Sequence, residues 1–137
     1  PLFELSLAQN LLKMLYDISI ASRREKPESK TEELMARVLR EMHRGYSGEL
    51  TIRGLAESVY VSEGYLRALF KERFGVSPKR YLTSVRVSAA KQLLIQTDMT
   101  VERVSREVGM PDALYFSRVF RDVTGVSPTE YRRRFCE

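Results

Sequence analysis

The feature that most constrains this chain is an internal repeat. Residues 51–81 read TIRGLAESVYVSEGYLRALFKERFGVSPKRY, and residues 100–132 read TVERVSREVGMPDALYFSRVFRDVTGVSPTEYR. Tyr65, Phe70, Gly75, Val76, Ser77, Pro78 and Tyr81 recur fifty positions later as Tyr115, Phe120, Gly125, Val126, Ser127, Pro128 and Tyr131. Ahead of the turn the offset is forty-nine, pairing Thr51 with Thr100 and Val59 with Val108. The second copy therefore carries one extra residue in its turn, near Pro111. A repeat of this size is one supersecondary unit built twice.

Each copy has the outline of a helix-turn-helix, a short helix joined through a tight turn to a second amphipathic one. In the second copy Thr100 is placed to cap a helix with Val101, Val104 and Val108 on one face. Gly109 stops it, because glycine takes positive φ without a Cβ penalty. Asp112 caps the next helix, whose Phe116, Val119, Phe120 and Val123 recur at spacings of three and four. Gly125 ends that helix. Ser127-Pro128 opens another, with serine as cap and proline at the first helical position. In the first copy Thr51 caps a helix over 52–58 with Ile52, Leu55, Ala56 and Val59 inward. Tyr60-Val61 forms the turn. Ser62 caps a helix with Leu66, Leu69, Phe70 and Phe74 inward.

Between the copies, Pro78 to about Gln96 reads as one helix with a stripe of Leu82, Val85, Ala89, Leu93 and Leu94. At 1.5 Å per residue it is roughly 28 Å long, enough to hold two units at a fixed separation. Upstream, Thr31 with Glu32 and Glu33 reads as a cap with acidic first-turn residues. The helix from about 32 to 44 buries Leu34, Val38, Leu39 and Met42 and covers the first unit, and Gly45 and Gly48 end it. Residues 2–22 are apolar around more than one stripe, and such a helix needs a partner surface. That surface is this domain, a second copy of the chain, or a domain outside it. Pro1 in place of Met marks a fragment or a processed chain. The expected architecture is all-α. A connecting or dimerisation helix occupies 1–24, a linker 25–31 and a first helix-turn-helix unit 32–77. A linking helix follows at 78–97 and a second unit at 98–137.

Charge follows the repeat. Residues 1–50 hold eight Lys/Arg and eight Asp/Glu, leaving fifteen against ten for residues 51–137, so the net +5 lies wholly in the half carrying both units. A basic excess there suits a polyanionic partner. Catalysis finds little to build with. His43 is the one histidine and reads as a surface residue near a helix end, and Cys136 is the one cysteine. That excludes a disulfide framework, a zinc site and a His-based nucleophile pair, and no cofactor is expected. No apolar run approaches a membrane span and no signal peptide opens the chain, which fits a cytoplasmic setting.

A helix-turn-helix places its second helix in the major groove and reads base edges near that helix's N-terminus. The chemistry needs long donors for guanine and small apolar groups for the thymine methyl. Arg67 and Arg118 supply the first; Ala68, Ala113 and Leu114 supply the second. The expected contact set is Ser62, Glu63, Gly64, Tyr65, Arg67, Ala68 and Lys71 in one unit. In the other it is Asp112, Ala113, Leu114, Tyr115, Ser117, Arg118, Arg121 and Arg132. Helix N-termini behind Thr51, Ser62, Thr100 and Asp112 present backbone N–H groups to phosphates. Two reading helices on one rigid connector imply two groove segments about one turn apart, roughly 34 Å. Arg132, Arg133 and Arg134 are either a phosphate clamp or a solvated tail. Arg86, amid an apolar stripe, reads as a structural pairing residue rather than a DNA contact. Tyr65, Phe70, Phe116 and Phe120 read as core rather than as stacking platforms, with Tyr65 and Tyr115 at its edge.

These residues carry a resemblance. YLRALFKERFGVSPKRYLTSVRVSAAKQLL, followed by VGMPDALYFSRVFRDVTGVSPTEYR, is similar to the DNA-binding region of the AraC/XylS family of bacterial transcription regulators, over about residues 33–135. The most specific matches are the run Tyr115-Phe116-Ser117-Arg118, with Phe120, Gly125, Pro128, Tyr131 and Arg132. Arg86, Ala90 and Leu93-Leu94 also fit. The resemblance implies sequence-specific binding to double-stranded promoter DNA, usually as an activator working with RNA polymerase. It also implies a separate sensor domain, absent here, through which a small-molecule effector and dimerisation act. Residues 1–22 then correspond to helices joining that sensor to the DNA-binding region, with a homodimer through residues 2–22. Three positions depart from the pattern: Gly64 lacks a contacting side chain, Ser105 replaces a small alanine, and Met110 replaces an aromatic. The alternative to DNA binding is a helical protein-interaction module built on 2–22.

Overall fold

A computed structural model describes residues 29–136. Among them are seven helices and no strand: α1 (Lys30–Gly45), α2 (Ile52–Ser58), α3 (Glu63–Phe74), α4 (Pro78–Gln96), α5 (Val101–Glu107), α6 (Ala113–Thr124) and α7 (Pro128–Phe135). The all-α expectation holds. The proposed apolar helix at 2–22 lies outside the described residues.

Local chemistry explains most of the boundaries. Thr51, Ser62, Ser77, Thr100, Asp112 and Ser127 each have extended backbone, and each side chain accepts an N–H from the first turn that follows. Proline opens both α4 and α7. Gly75 and Gly125 close α3 and α6 at φ 71° and 86°, a left-handed step that glycine makes cheaply. One expected cap is corrected. Ser29 starts α1 in place of Thr31, its Oγ accepting from the Glu32 N–H at 3.2 Å. Ser29 is extended (φ −153°) whereas Thr31 already lies in the helix.

The helices enclose two cores. The first joins Met35, Val38, Leu39 and Met42 of α1 to Leu55 and Ala56 of α2, to Leu66, Leu69, Phe70 and Phe74 of α3, and to Tyr81, Leu82 and Val85 of α4. The second joins Val87, Ala90 and Leu94 of α4 to Val104, Val108, Met110, Phe116 and Phe120. Leu34 is only partly buried at the margin of the first core. The repeat is visible in the packing: Phe70 meets Tyr81 with ring centroids 5.9 Å apart, and Phe120 meets Tyr131 at 5.4 Å.

The linking helix α4 departs from the expected single stripe. Val87 and Ala90 are fully buried, while Ala89 and Leu93 are only partly so. The cause is geometric. At about 100° per residue, Tyr81, Leu82 and Val85 share one side of α4, and Val87, Ala90 and Leu94 lie nearly opposite. The helix changes its buried face midway because each half serves a different core. Arg86 emerges from the flank between the two faces.

Its guanidinium ties α4 to the loop after α1. Nε donates to the Tyr46 carbonyl at 2.8 Å and one Nη donates to the Gly48 carbonyl at 3.3 Å. Arg86 is therefore a structural residue, and its acceptors are backbone carbonyls of the loop after α1. Tyr46 packs against both cores. Gly109, at φ 84°, presses on the same loop: a Cβ there would collide with the Tyr46 carbonyl oxygen and come within 3.1 Å of the Ser47 carbonyl carbon.

Candidate nucleic-acid interface

The first unit presents α3. Its inner face is closed by Leu66, Leu69, Phe70 and Phe74, which leaves Gly64, Tyr65, Arg67, Ala68 and Lys71 exposed on the outer one. A Cβ added at Gly64 would meet nothing within 4 Å, so this position is an open notch in the face. Glu63 is half-buried and pairs with Arg67 one turn on, carboxylate to guanidinium at 2.8 Å. That pairing follows from the i,i+4 spacing, a signal the sequence held. The Ser62 hydroxyl accepts from the Tyr65 N–H at 3.1 Å and so caps the helix from within.

The second unit presents α6. Leu114, Tyr115, Arg118 and Arg121 are exposed, and Ala113 and Ser117 are half-buried beside them. Leu114 is 76% accessible, a large apolar side chain standing free near the helix start. One Asp112 oxygen accepts from the Leu114 and Tyr115 N–H groups, both at 3.1 Å. Tyr65 and Tyr115 are about half exposed, at 47% and 50%, so both belong to the outer faces. Phe70, Phe116 and Phe120 are fully buried, as expected of core.

The turns differ by Pro111, the extra residue. Both are closed by the same backbone bond: Val61 N–H donates to the Ala56 carbonyl at 3.0 Å, and Met110 N–H to the Ser105 carbonyl at 2.9 Å. Ser105 is wholly buried, and its hydroxyl donates to the Met110 carbonyl. The turn's own backbone thus satisfies the Ser105 hydroxyl, which is how a hydroxyl is tolerated where a methyl would fit.

Arg132, named in the expected contact set, is turned toward its own chain. Its Nε donates to the Leu94 carbonyl at 3.0 Å and one Nη to the Thr97 carbonyl at 3.2 Å, closing the C-terminus of α4. Its side chain is drawn into the protein because the last carbonyls of a helix lack intrahelical donors. Arg133 and Arg134 both pair with Glu130, and the hydrogen bond from Arg133 is the main reason that the Glu130 carboxyl lies below its usual range. The three-arginine run is therefore engaged with its own chain.

Arg86 itself is set near the second reading helix. Burial lowers the pKa of its guanidinium, and the charge interaction with Tyr115 opposes that shift. The structural role of Arg86 is legible from its place in the apolar stripe, but its partners are not, because backbone carbonyls of a distant loop have no sequence signature.

A family model described as a helix-turn-helix domain matches residues 55–134. A solved AraC-type regulator from Chromobacterium violaceum superposes with a TM-score of 0.71 at 25% identity, covering 78% of this chain and 96% of that one. This chain belongs to the AraC family of helix-turn-helix transcription regulators. Among its AraC-family relatives, the lactose operon transcription activator of Staphylococcus xylosus is 41% identical over 90 residues, 66% of this chain and 32% of that protein. The DNA-binding domain of AdpA, a global transcriptional factor solved with a target DNA, superposes with a TM-score of 0.70 at 26% identity, covering 73% of this chain and 90% of that one. The chain spans about a third of the length of the curated relatives it matches. AraC-type proteins are DNA-binding transcription regulators and not enzymes, and this chain carries their DNA-binding fold. No helix among the described residues is long and apolar enough to cross a membrane.

Proposed function

We propose that this chain binds a specific, asymmetric duplex site by placing α3 and α6 in two successive major-groove segments on one face of the DNA. The observation that carries this reading is the pair of repeat-related outer faces, each with an exposed arginine just beyond its first turn, Arg67 and Arg118, one step apart in the register of the repeat. Arginine reads guanine bidentately, and Ala68, Ala113 and Leu114 are suited to thymine methyls. The remaining exposed cations, Lys71 and Arg121, serve the phosphates. Binding is of nanomolar class and falls steeply with salt, because phosphate neutralisation releases counterions.

The same reading makes the protein an activator. Relatives named for activating or regulating sugar operons support it. Contact with RNA polymerase, an effector sensed by a separate domain and dimerisation through residues 2–22 complete it. Selection of bound sites from random duplexes tests the core of the reading. The expected result is one bipartite motif; the absence of any enriched sequence would overturn it. Sedimentation of the chain with and without residues 1–24 tests dimerisation, which a monomer in both forms would exclude.

A further inference from the structure

The long helix alone does not fix how the two reading units face one another. A helix bearing one core on each flank resists bending, yet each unit meets it on a different side. The angle between the units therefore depends on what joins them away from the helix axis. That place is the loop after α1. Tyr46 packs on both cores, Gly109 of the second turn lies flush against the Tyr46 carbonyl, and Arg86 holds the Tyr46 and Gly48 carbonyls at 2.8 Å and 3.3 Å. The loop belongs to the first unit and Gly109 to the second.

We infer that Arg86, with Gly109, is the positioning element that sets the separation of half-sites this protein accepts, by locking the first unit's loop onto the second unit's turn. Arg86 needs no contact with DNA for this. One guanidinium supplies both donors, and their planar arrangement fixes the loop in direction as well as distance. Gly109 is required because any side chain would drive the two units apart. One base pair more or less between half-sites turns the second by roughly 35° and moves it about 3.4 Å. A locked junction cannot follow that displacement, whereas a loosened one can. The inference rests on the two-segment reading proposed above.

Two measurements test it, one without DNA. In a Cys136→Ser background, spin labels at Glu72→Cys and Asp122→Cys, both exposed on their reading helices, report the distance between the units. The intact junction should give one narrow distribution, and Arg86→Met and Gly109→Ala should each broaden or shift it. The second measurement uses the duplex selected by the unaltered chain, and versions with one base pair added or removed between its halves. The unaltered chain should lose about ten-fold or more in affinity on either change. The two variants should bind the selected duplex more weakly and lose at most about three-fold between spacings. If Arg86→Met unfolds, Gly109→Ala carries both tests. An unchanged distance distribution together with unchanged spacing discrimination in a folded variant overturns the inference. Failure of the unaltered chain to discriminate spacings would instead overturn the two-segment reading, while the distance measurement still decides whether the junction is locked.

Discussion

Tyr60 and Gly109 occupy the same step of their respective turns, and both adopt positive φ, 60° and 84°. Tyr60 is the one described non-glycine residue in that region. The glycine is enforced by the loop packed against it. The tyrosine is not: it is 92% accessible, and its conformation carries the strain of a Cβ in left-handed backbone.

Relief of that strain should be measurable. Tyr60→Gly is expected to stabilise the protein by about 1 kcal/mol, since the ring gives up little burial. Gly109→Ala should do the opposite by about 2–4 kcal/mol, combining the backbone penalty with the clash at Tyr46. Urea unfolding of both variants checks this; a lower midpoint for Tyr60→Gly would show that the tyrosine ring holds the turn.

Arg118 and Arg132 should separate binding from stability. Arg118→Ala is expected to weaken binding to the selected site by about 1–3 kcal/mol with an unchanged unfolding midpoint. Arg132→Ala removes a charged donor from two carbonyls and should cost about 2 kcal/mol of stability. The folded Arg132→Ala protein should bind DNA normally. Equal loss of affinity in both variants would return Arg132 to the interface.

Glu63 should act as a brake on Arg67. The exposed pair contributes only about 0.3–0.5 kcal/mol to stability, so Glu63→Gln should leave unfolding almost unchanged. It frees the guanidinium and removes a negative charge facing a polyanion, so affinity should rise. Arg67→Ala should lower it by about 1–3 kcal/mol. Fluorescence anisotropy on the selected duplex decides, and weaker binding by Glu63→Gln would show that the ion pair orients Arg67 for its base.

Acid should weaken the fold through His43. Its Nε2 lies 2.7 Å from the buried Tyr81 hydroxyl, and burial holds its pKa below the ordinary 6.5. The unfolded chain then takes up a proton before the folded one, so the stability contribution is intact above pH 6.5. It declines as pH falls through that value towards the folded pKa. Urea midpoints on either side of pH 6.5 should show the slope, and His43→Gln should flatten it. An equal slope in His43→Gln would assign the effect to carboxylates.

Exchange of the reading segments addresses specificity. Gly64 leaves α3 with fewer reaching side chains than α6. Replacing residues 63–68 should therefore change the selected motif more than replacing 113–118. A larger change from 113–118 would reverse the assignment.

The repeat, the caps of both helix-turn-helix units and the core phenylalanines were legible in the sequence, because each follows from local spacing. Thr51, Ser62, Thr100 and Asp112 need only their own following turn to be recognised, and Phe70 and Phe120 only their periodicity. What escaped depended on distant backbone. Arg132 looks basic and terminal until the ends of α4 are located, and then its acceptors at 94 and 97 are plain. Ala89 and Leu93 continue a regular stripe, and only the existence of two cores explains why Val87 and Ala90 displace them. Ser29 and Thr31 are equally good caps by type; the extended backbone at Ser29 decides.

The change of buried face along α4 has a consequence for how the molecule comes apart. Neither core is complete without its own half of that helix, and the halves share one continuous ladder of backbone hydrogen bonds. Loss of the second unit would strip Val87, Ala90 and Leu94 of cover and fray the helix toward Arg86. Amide hydrogen exchange at the centre of α4 should accordingly require opening of the whole pair, so that the two repeated units melt as a single cooperative body.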